Sequence, residues 1–299
     1  MSRVRVPWTH ATHAGARLAL ALVGCGRGRG DRIVVGSKNF TESDLLGEIV
    51  AQQIARRTGL PVERRFHLGG TFVCHQAIVS GEIALYVEYT GTAYTAVLKH
   101  APAADADSVY NAVAAEYARR FDLTWGRPLG FNNTFAILVR RADADQNGLR
   151  RISDLAPLAP RWHAAFGYEF LERADGFAGL ARTYGLRFAA PPTAMDLGLT
   201  YRALAERKVD VIAGNSTDGQ IAALALAPLD DDRRYFPPYQ AAPVIRTATL
   251  RRYPQVAQAL AELAGRLSDA DMRRLNALAD VEHRDLAVIA RDWLQTTLP

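Results

Sequence analysis

Lysine is scarce in this chain: of 36 basic residues only Lys38, Lys99 and Lys208 are lysines, and the rest are arginine. Acidic residues are missing altogether from the first 30 positions, which carry Arg3, Arg5, Arg17, Arg27 and Arg29. From Asp31 onward basic and acidic residues balance, so the formal charge of +5 belongs to the N-terminal segment. The body therefore offers no electrostatic footprint for a phosphate backbone, and a nucleic-acid partner is excluded on that ground. Cysteine occurs twice in 299 residues, without a CxxC, and neither HExxH nor any clustered Cys/His spacing is present. A disulfide scaffold, a zinc site and an iron–sulfur centre are thereby set aside, and no cofactor is expected. Eighteen consecutive apolar residues occur nowhere, so no membrane-spanning helix is expected. A P-loop and a GxSxG elbow are also lacking, so any ATP hydrolysis must come from a partner and a nucleophilic hydrolase would lack its turn. The 30 residues before the first expected strand are too few and too glycine-rich for a helix-turn-helix.

What is present is an ordinary globular composition, 49% hydrophobic and 22% charged, enough for one large domain or two. The basic start is followed by a short apolar run, Leu18 to Val23, closing on Gly24-Cys25. That pattern resembles a bacterial lipoprotein signal, with the Cys25 thiol as the lipid attachment point; the alternative is an uncleaved N-terminus with an incidental cysteine. Residues 26–31, GRGRGD, read as a tether. Cys74 is then left as a lone buried thiol on an amphipathic helix.

Beyond the tether a grammar of strand, polar loop and helix repeats. Ile33–Gly36 reads as a buried strand, followed by a helix opened by Thr41 with Asp44 three residues on, whose Leu45, Ile49, Val50 and Ile54 share a face. Strands are expected over Val62–Phe66, Ile83–Val87, Ala165–Phe170, Val209–Ala213 and Ala242–Arg246, with helices over about 105–121 and most of 254–298, the latter containing a Ser268/Asp271 capping box. Thr41, Thr92 and Asp218 sit where helix N-caps sit. Leu129–Val139 looks like a crossing between domains, and Pro237-Pro238 fixes a rigid connector. The whole argues an α/β architecture with largely parallel sheets.

In such sheets ligands bind beyond the carboxyl ends of the strands. Five loops at those ends are polar or aromatic: Ser37–Thr41, Gly69–Thr71, Tyr89–Thr92, Arg173–Gly176 and Asn215–Gly219. Facing one another they would line a cleft with hydroxyls, one lysine, one arginine and several rings. That is a binding site without a catalytic constellation.

The ordered motifs VVGSKNFTES, LGGT, GEIALYVEYTGT, LGFNNTFAI, FLERADGFAGL, GNSTDGQIAAL and FPPYQAAPVIR resemble those of the substrate-binding proteins of osmoprotectant ABC transporters, the glycine betaine, choline and carnitine family. The resemblance runs from about Ile33 to near the C-terminus. It implies a type II periplasmic-binding-protein fold, two α/β lobes joined by two crossing strands, with 1–30 a leader and tether, 31–131 plus 239–299 the first lobe and 132–238 the second. It also implies an extracytoplasmic, periplasmic or lipid-anchored receptor, monomeric and non-enzymatic, that delivers a quaternary ammonium compound to permease and ATPase subunits.

Residue by residue, the family's aromatic cage falls on Tyr89, Phe135 and Tyr239, and its carboxylate partners on Lys38, Thr92 and Arg173, with Asp175 beside the arginine to orient it. Two cage positions depart from the pattern: Phe135 keeps a ring without its hydroxyl, and Asn215 replaces a ring with an amide. A methylated ammonium has no N–H to donate, so ring faces select it where hydrogen bonds cannot. Asn215 points instead to a ligand with further polar groups, such as carnitine, ergothioneine or an amino-acid betaine. Tyr201 is expected to pack in the interior, and an enzyme on a similar two-lobed scaffold is the competing class.

Overall fold

The computed structural model describes residues 1–2 and 32–298. The leader, lipid attachment at Cys25 and the tether over 26–31 lie outside the described residues. Ten strands are found among those described: β1 (Ile33–Gly36), β2 (Val62–Arg65), β3 (Leu85–Tyr89), β4 (Leu123–Trp125), β5 (Phe135–Arg140), β6 (Ala164–Phe166), β7 (Thr193–Ala194), β8 (Val211–Asn215), β9 (Leu226–Leu229) and β10 (Ala241–Arg246). They form two five-stranded sheets in the orders β2-β1-β3-β10-β4 and β7-β6-β8-β5-β9. Helices pack on both, so the architecture is two mixed α/β lobes.

The expectation of parallel sheets holds for all but one strand in each. In the first sheet β1 runs parallel to β2 and β3 while β10 is antiparallel to both its neighbours; in the second, β5 takes the same place beside β8 and β9. The reversed strands follow the two segments expected to cross. Asn132 bridges Gln240, and the Asn133 amide donates to the Tyr239 carbonyl at 3.0 Å, so those segments lie side by side. The parallel strands end at this level and the reversed strands begin there. Loops from strand ends and the leading residues Phe135 and Tyr239 therefore meet in one layer, which is how residues two hundred positions apart come together.

Helix α1 (Thr41–Thr58) buries Leu45, Leu46, Ile49, Val50 and Ile54 against the first sheet and stops at Gly59, whose φ of 68° reverses the chain. Helix α2 (Thr71–Ser80) hides Cys74 completely, and burial pushes that thiol up to about 12. The helix expected near 105–121 is found at Ala106–Phe121, and Ser268 with Asp271 makes the capping box of Asp269–Asp280.

Several local expectations are corrected. The strand placed at Ile83–Val87 is β3, two residues later and buried along its whole length. The one placed at Ala165–Phe170 shrinks to β6, because Phe170 belongs to the helix Tyr168–Glu172. None of the three expected N-caps makes a side-chain capping bond, although Thr92 does stand at the N-cap position of the helical turn Ala93–Val97. Thr41 lies inside α1, behind Phe40, and Asp44 accepts from the Ser37 hydroxyl and the His67 amide. Thr92 accepts from Arg173, and Asp218 folds back onto the Asn215 amide at 3.0 Å. The Asp44 and Thr92 oxygens thus serve remote donors, and that of Asp218 serves the nearby Asn215 amide together with the Tyr201 hydroxyl.

Candidate functional site

A cavity of about 770 Å³ opens where the strand-end loops of the two sheets meet. Lys38, Tyr89, Thr92, Phe135, Arg173, Asn215 and Tyr239 line it. Asp175 is the exception among the expected site residues: it is fully buried behind Arg173 and does not reach the cavity wall.

The three cage rings divide into two groups. Phe135 packs against Tyr239 at 5.7 Å between centroids, nearly perpendicular, with Phe170 and Phe236 behind. Tyr89 stacks on Phe40 at 6.3 Å. Each group already faces a cation of the protein. The Arg173 guanidinium lies 5.1 Å from the Phe135 centroid and 5.8 Å from that of Tyr239, and the Lys38 ammonium lies 4.9 Å from that of Tyr89. Gly91 in EYTGT permits this packing, since a Cβ there would come within 2.7 Å of the Tyr239 ring and of the Pro238 carbonyl.

Both cations are paired with buried carboxylates. Lys38 Nζ donates to Glu88 Oε1 at 2.5 Å and to Thr71 Oγ1 at 3.3 Å. Arg173 grips Asp175 with Nε at 2.8 Å and Nη2 at 2.6 Å, while Nη1 donates to Thr92 Oγ1 at 3.1 Å. Asp175 also accepts the hydroxyls of Thr95 and Tyr239, both at 2.6 Å. Burial alone would raise the Asp175 carboxyl, but Arg173 and the two hydroxyls bring it below its ordinary value. Burial likewise works against the Arg173 charge, and Asp175 more than restores it. A lysine has three donors and an arginine five, so each side chain keeps N–H groups in reserve.

Part of the cavity lining is acidic. Glu42 is 2% exposed, and its carboxylate accepts from four side chains: Tyr89 Oη at 2.6 Å, Asn133 Nδ2 at 2.7 Å, Thr217 Oγ1 at 2.5 Å and Asn276 Nδ2 at 2.8 Å. These four donors come from the end of the first sheet, a crossing segment, the loop after β8 and the helix Asp269–Asp280. Burial raises the Glu42 carboxyl even against these donors. Among the described residues, the Oδ1 atoms of Asn133 and Asn276 are buried without a hydrogen-bond partner. Asp218 and Asp280 line the cavity nearby. The Tyr201 hydroxyl donates to Asp218, so this buried ring packs as expected while its oxygen reaches the site.

Asp218 is raised to about 7, by burial first and then by the charges of Glu42 and Asp280, against the pull of Tyr201 and the Asn215 amide. A carboxyl raised on folding holds a proton that the unfolded chain has already released. Its contribution to stability therefore falls as pH rises from the ordinary carboxylate range to neutrality, and is level above that. We expect wild-type protein to lose more stability than Asp218→Asn between about pH 5 and pH 8, read from urea midpoints. Parallel profiles would reject the assignment.

Sequence reasoning missed Glu42, Glu88, Asn133, Glu169 and Thr217. For Glu42 a signal existed: it precedes Leu45, Leu46 and Ile49 by three, four and seven residues, which puts an acid on the apolar stripe of α1. The others gave none, because their partners are remote in the chain.

Comparison with known proteins places these observations in a group. The family model for the substrate-binding domain of ABC-type glycine betaine transport systems, OpuAC, matches residues 31–296. The carnitine transport binding protein OpuCC of Listeria monocytogenes is 32% identical over 277 residues, covering 92% of this chain and 90% of that protein. An ergothioneine transport permease and binding protein, EgtU of Helicobacter pylori, is 33% identical over 264 residues, 88% of this chain; the match spans only 47% of that longer protein. A solved structure described as a glycine betaine/carnitine/choline ABC transporter superposes with a TM-score of 0.74 at 32% identity, covering 88% of this chain and 98% of that one.

Proposed function

The chain belongs to the family of substrate-binding domains of ABC-type glycine betaine transport systems, and from that premise we propose that its cleft captures a trimethylammonium zwitterion between Tyr89, Phe135 and Tyr239, with Lys38, Thr92 and Arg173 receiving the carboxylate. As a member it is a non-enzymatic, extracytoplasmic binding protein of an ABC importer. The observation that carries the ligand reading is that Tyr89, Phe135 and Tyr239 line one cavity together with Lys38, Thr92 and Arg173. Rings placed so can hold a methylated nitrogen, each face contributing roughly 0.5–2 kcal/mol according to desolvation. The reserve N–H groups of Lys38 and Arg173 suit a carboxylate without breaking either ion pair. In this reading 31–131 with 239–299 and 132–238 are the lobes that close on the ligand, and Cys25 carries the lipid anchor. Closure alters the surface offered to the permease, so ligand controls docking through its preference for the closed form. Isothermal titration with choline, glycine betaine, carnitine and ergothioneine tests it, and silence from all four would reject it.

A second reading concerns which amine is held. Asn215, Asp218 and Asp280 present acceptors where a further ring is expected, and a cavity of about 770 Å³ exceeds what a small betaine needs. They favour a larger betaine with its own hydrogen-bond donors, such as carnitine, ergothioneine or another amino-acid betaine. Asn215→Tyr supplies the missing face and should tighten glycine betaine and choline by about 2- to 30-fold. Unchanged affinity would dismiss the missing ring as the cause.

A further inference from the structure

Glu169 belongs to the short helix Tyr168–Glu172 that follows β6 of the second sheet, yet its carboxylate ends on the first lobe. Oε1 accepts the Thr71 backbone amide at 2.5 Å, and Oε2 lies 3.4 Å from Thr71 Oγ1 and 3.8 Å from Arg173 Nη1. Thr71 opens α2, so the acid sits on the first free N–H and on the positive end of a ten-residue helix. Gly70 makes room for it: a Cβ at that position would come 2.4 Å from Glu169 Oε1, and its nearest three neighbours are all Glu169 atoms. Other contacts between the lobes involve the expected ligand residues and Asp175, the buried Glu42 and Thr217, or the crossing segments and the loop after β8, as where the Asn132 amide donates to Asp269 and Gly219 lies against Ala277. Glu169, with its side chain 41% exposed, stands at the rim.

We propose that Glu169 is a positioning residue, a rim latch that sets ligand affinity by stabilising the closed arrangement of the lobes without recognising the ligand. The proposal rests on the binding function above. A contact of this kind adds the same free energy to every closed complex, so its loss weakens all ligands by one common factor. A residue touching ligand would instead change the ratio between a zwitterion and a cation that lacks the carboxylate.

Two variants test it. Glu169→Gln keeps the shape and removes the charge. Gly70→Ala leaves every charge in place but drives the carboxylate off the helix end; the backbone at Gly70, φ −72° and ψ −174°, is one that alanine adopts freely. Titration of the full chain with glycine betaine and with choline should show both variants weakened about tenfold for both amines. Small-angle scattering of the ligand-free proteins should give each variant a larger radius of gyration than wild type. Unequal factors for the two amines would overturn the latch and make Glu169 a recognition residue. Wild-type affinity and radius in Gly70→Ala would overturn it as well. If wild-type protein bound neither amine, the ligand assignment would fail, and the scattering comparison would still decide the latch.

Discussion

Arg173→Met is expected to yield a protein that no longer binds betaines and that unfolds at markedly lower urea than wild type. The guanidinium is almost wholly buried, with Asp175 on one side and Thr92 on the other. Removing it strands a carboxylate that keeps only the Thr95 and Tyr239 hydroxyls. Breaking a buried pair from one side costs about 3–5 kcal/mol, whereas replacing both members is often nearly neutral. Arg173→Met with Asp175→Asn should therefore recover most of the stability and none of the binding. The pH response separates the cases further. In wild type the depressed Asp175 carboxyl contributes stability that is present above its ordinary value and lost as the solution is acidified. In Arg173→Met the same carboxyl, buried without its cation, is raised instead, so the single variant gains on wild type as pH falls. Equal stability of the single and double variants at neutral pH would show that the ion pair does not hold this part of the fold.

Glu42→Ala is expected to be still more damaging. Four side-chain donors converge on that carboxylate, and their loss of a partner costs on the order of 1–3 kcal/mol for each one that water cannot reach. Against a total stability of about 5–15 kcal/mol, such a change removes much of the cooperative transition, which a broadened urea curve with a reduced slope would register. Glu42→Gln gives a milder result: one oxygen still accepts, while the new amide meets donors. With the amide in the place of Oε1, Tyr89 loses the carboxylate bond that orients its ring, so betaine binding should weaken more than stability does; with the amide in the place of Oε2, Thr217 and Asn276 lose theirs instead. A normal urea curve for Glu42→Ala would mean that water replaces the carboxylate, and the four donors would then not tie the lobes together.

Much of this was legible in the amino-acid order. The βα units announce themselves because buried strands such as Ile33–Gly36 are continuous apolar runs and α1 repeats its apolar face at helical spacing. The motifs that line the cavity were visible because each sits at a strand end, where local pattern and tertiary position coincide. The reversed direction of β5 and β10 was not visible, since a strand's residues do not record which way its neighbours run. Nor was the pairing of Lys38 with Glu88 or of Glu42 with Thr217 and Asn276, which join positions 50, 175 and 234 residues apart. Lys38 and Arg173 could be expected to face an anion. That the protein supplies each with a carboxylate of its own is a property of the folded arrangement.

The completely buried sulfur of Cys74, pushed up to about 12 and held against the Ser37 carbonyl, gives the folded body an internal stopwatch. Alkylating reagents meet it only when α2 lifts from the sheet. The rate at which its peptide gains mass then times spontaneous opening, molecule by molecule and without any added probe, and a bound solute should slow that clock in proportion to its occupancy.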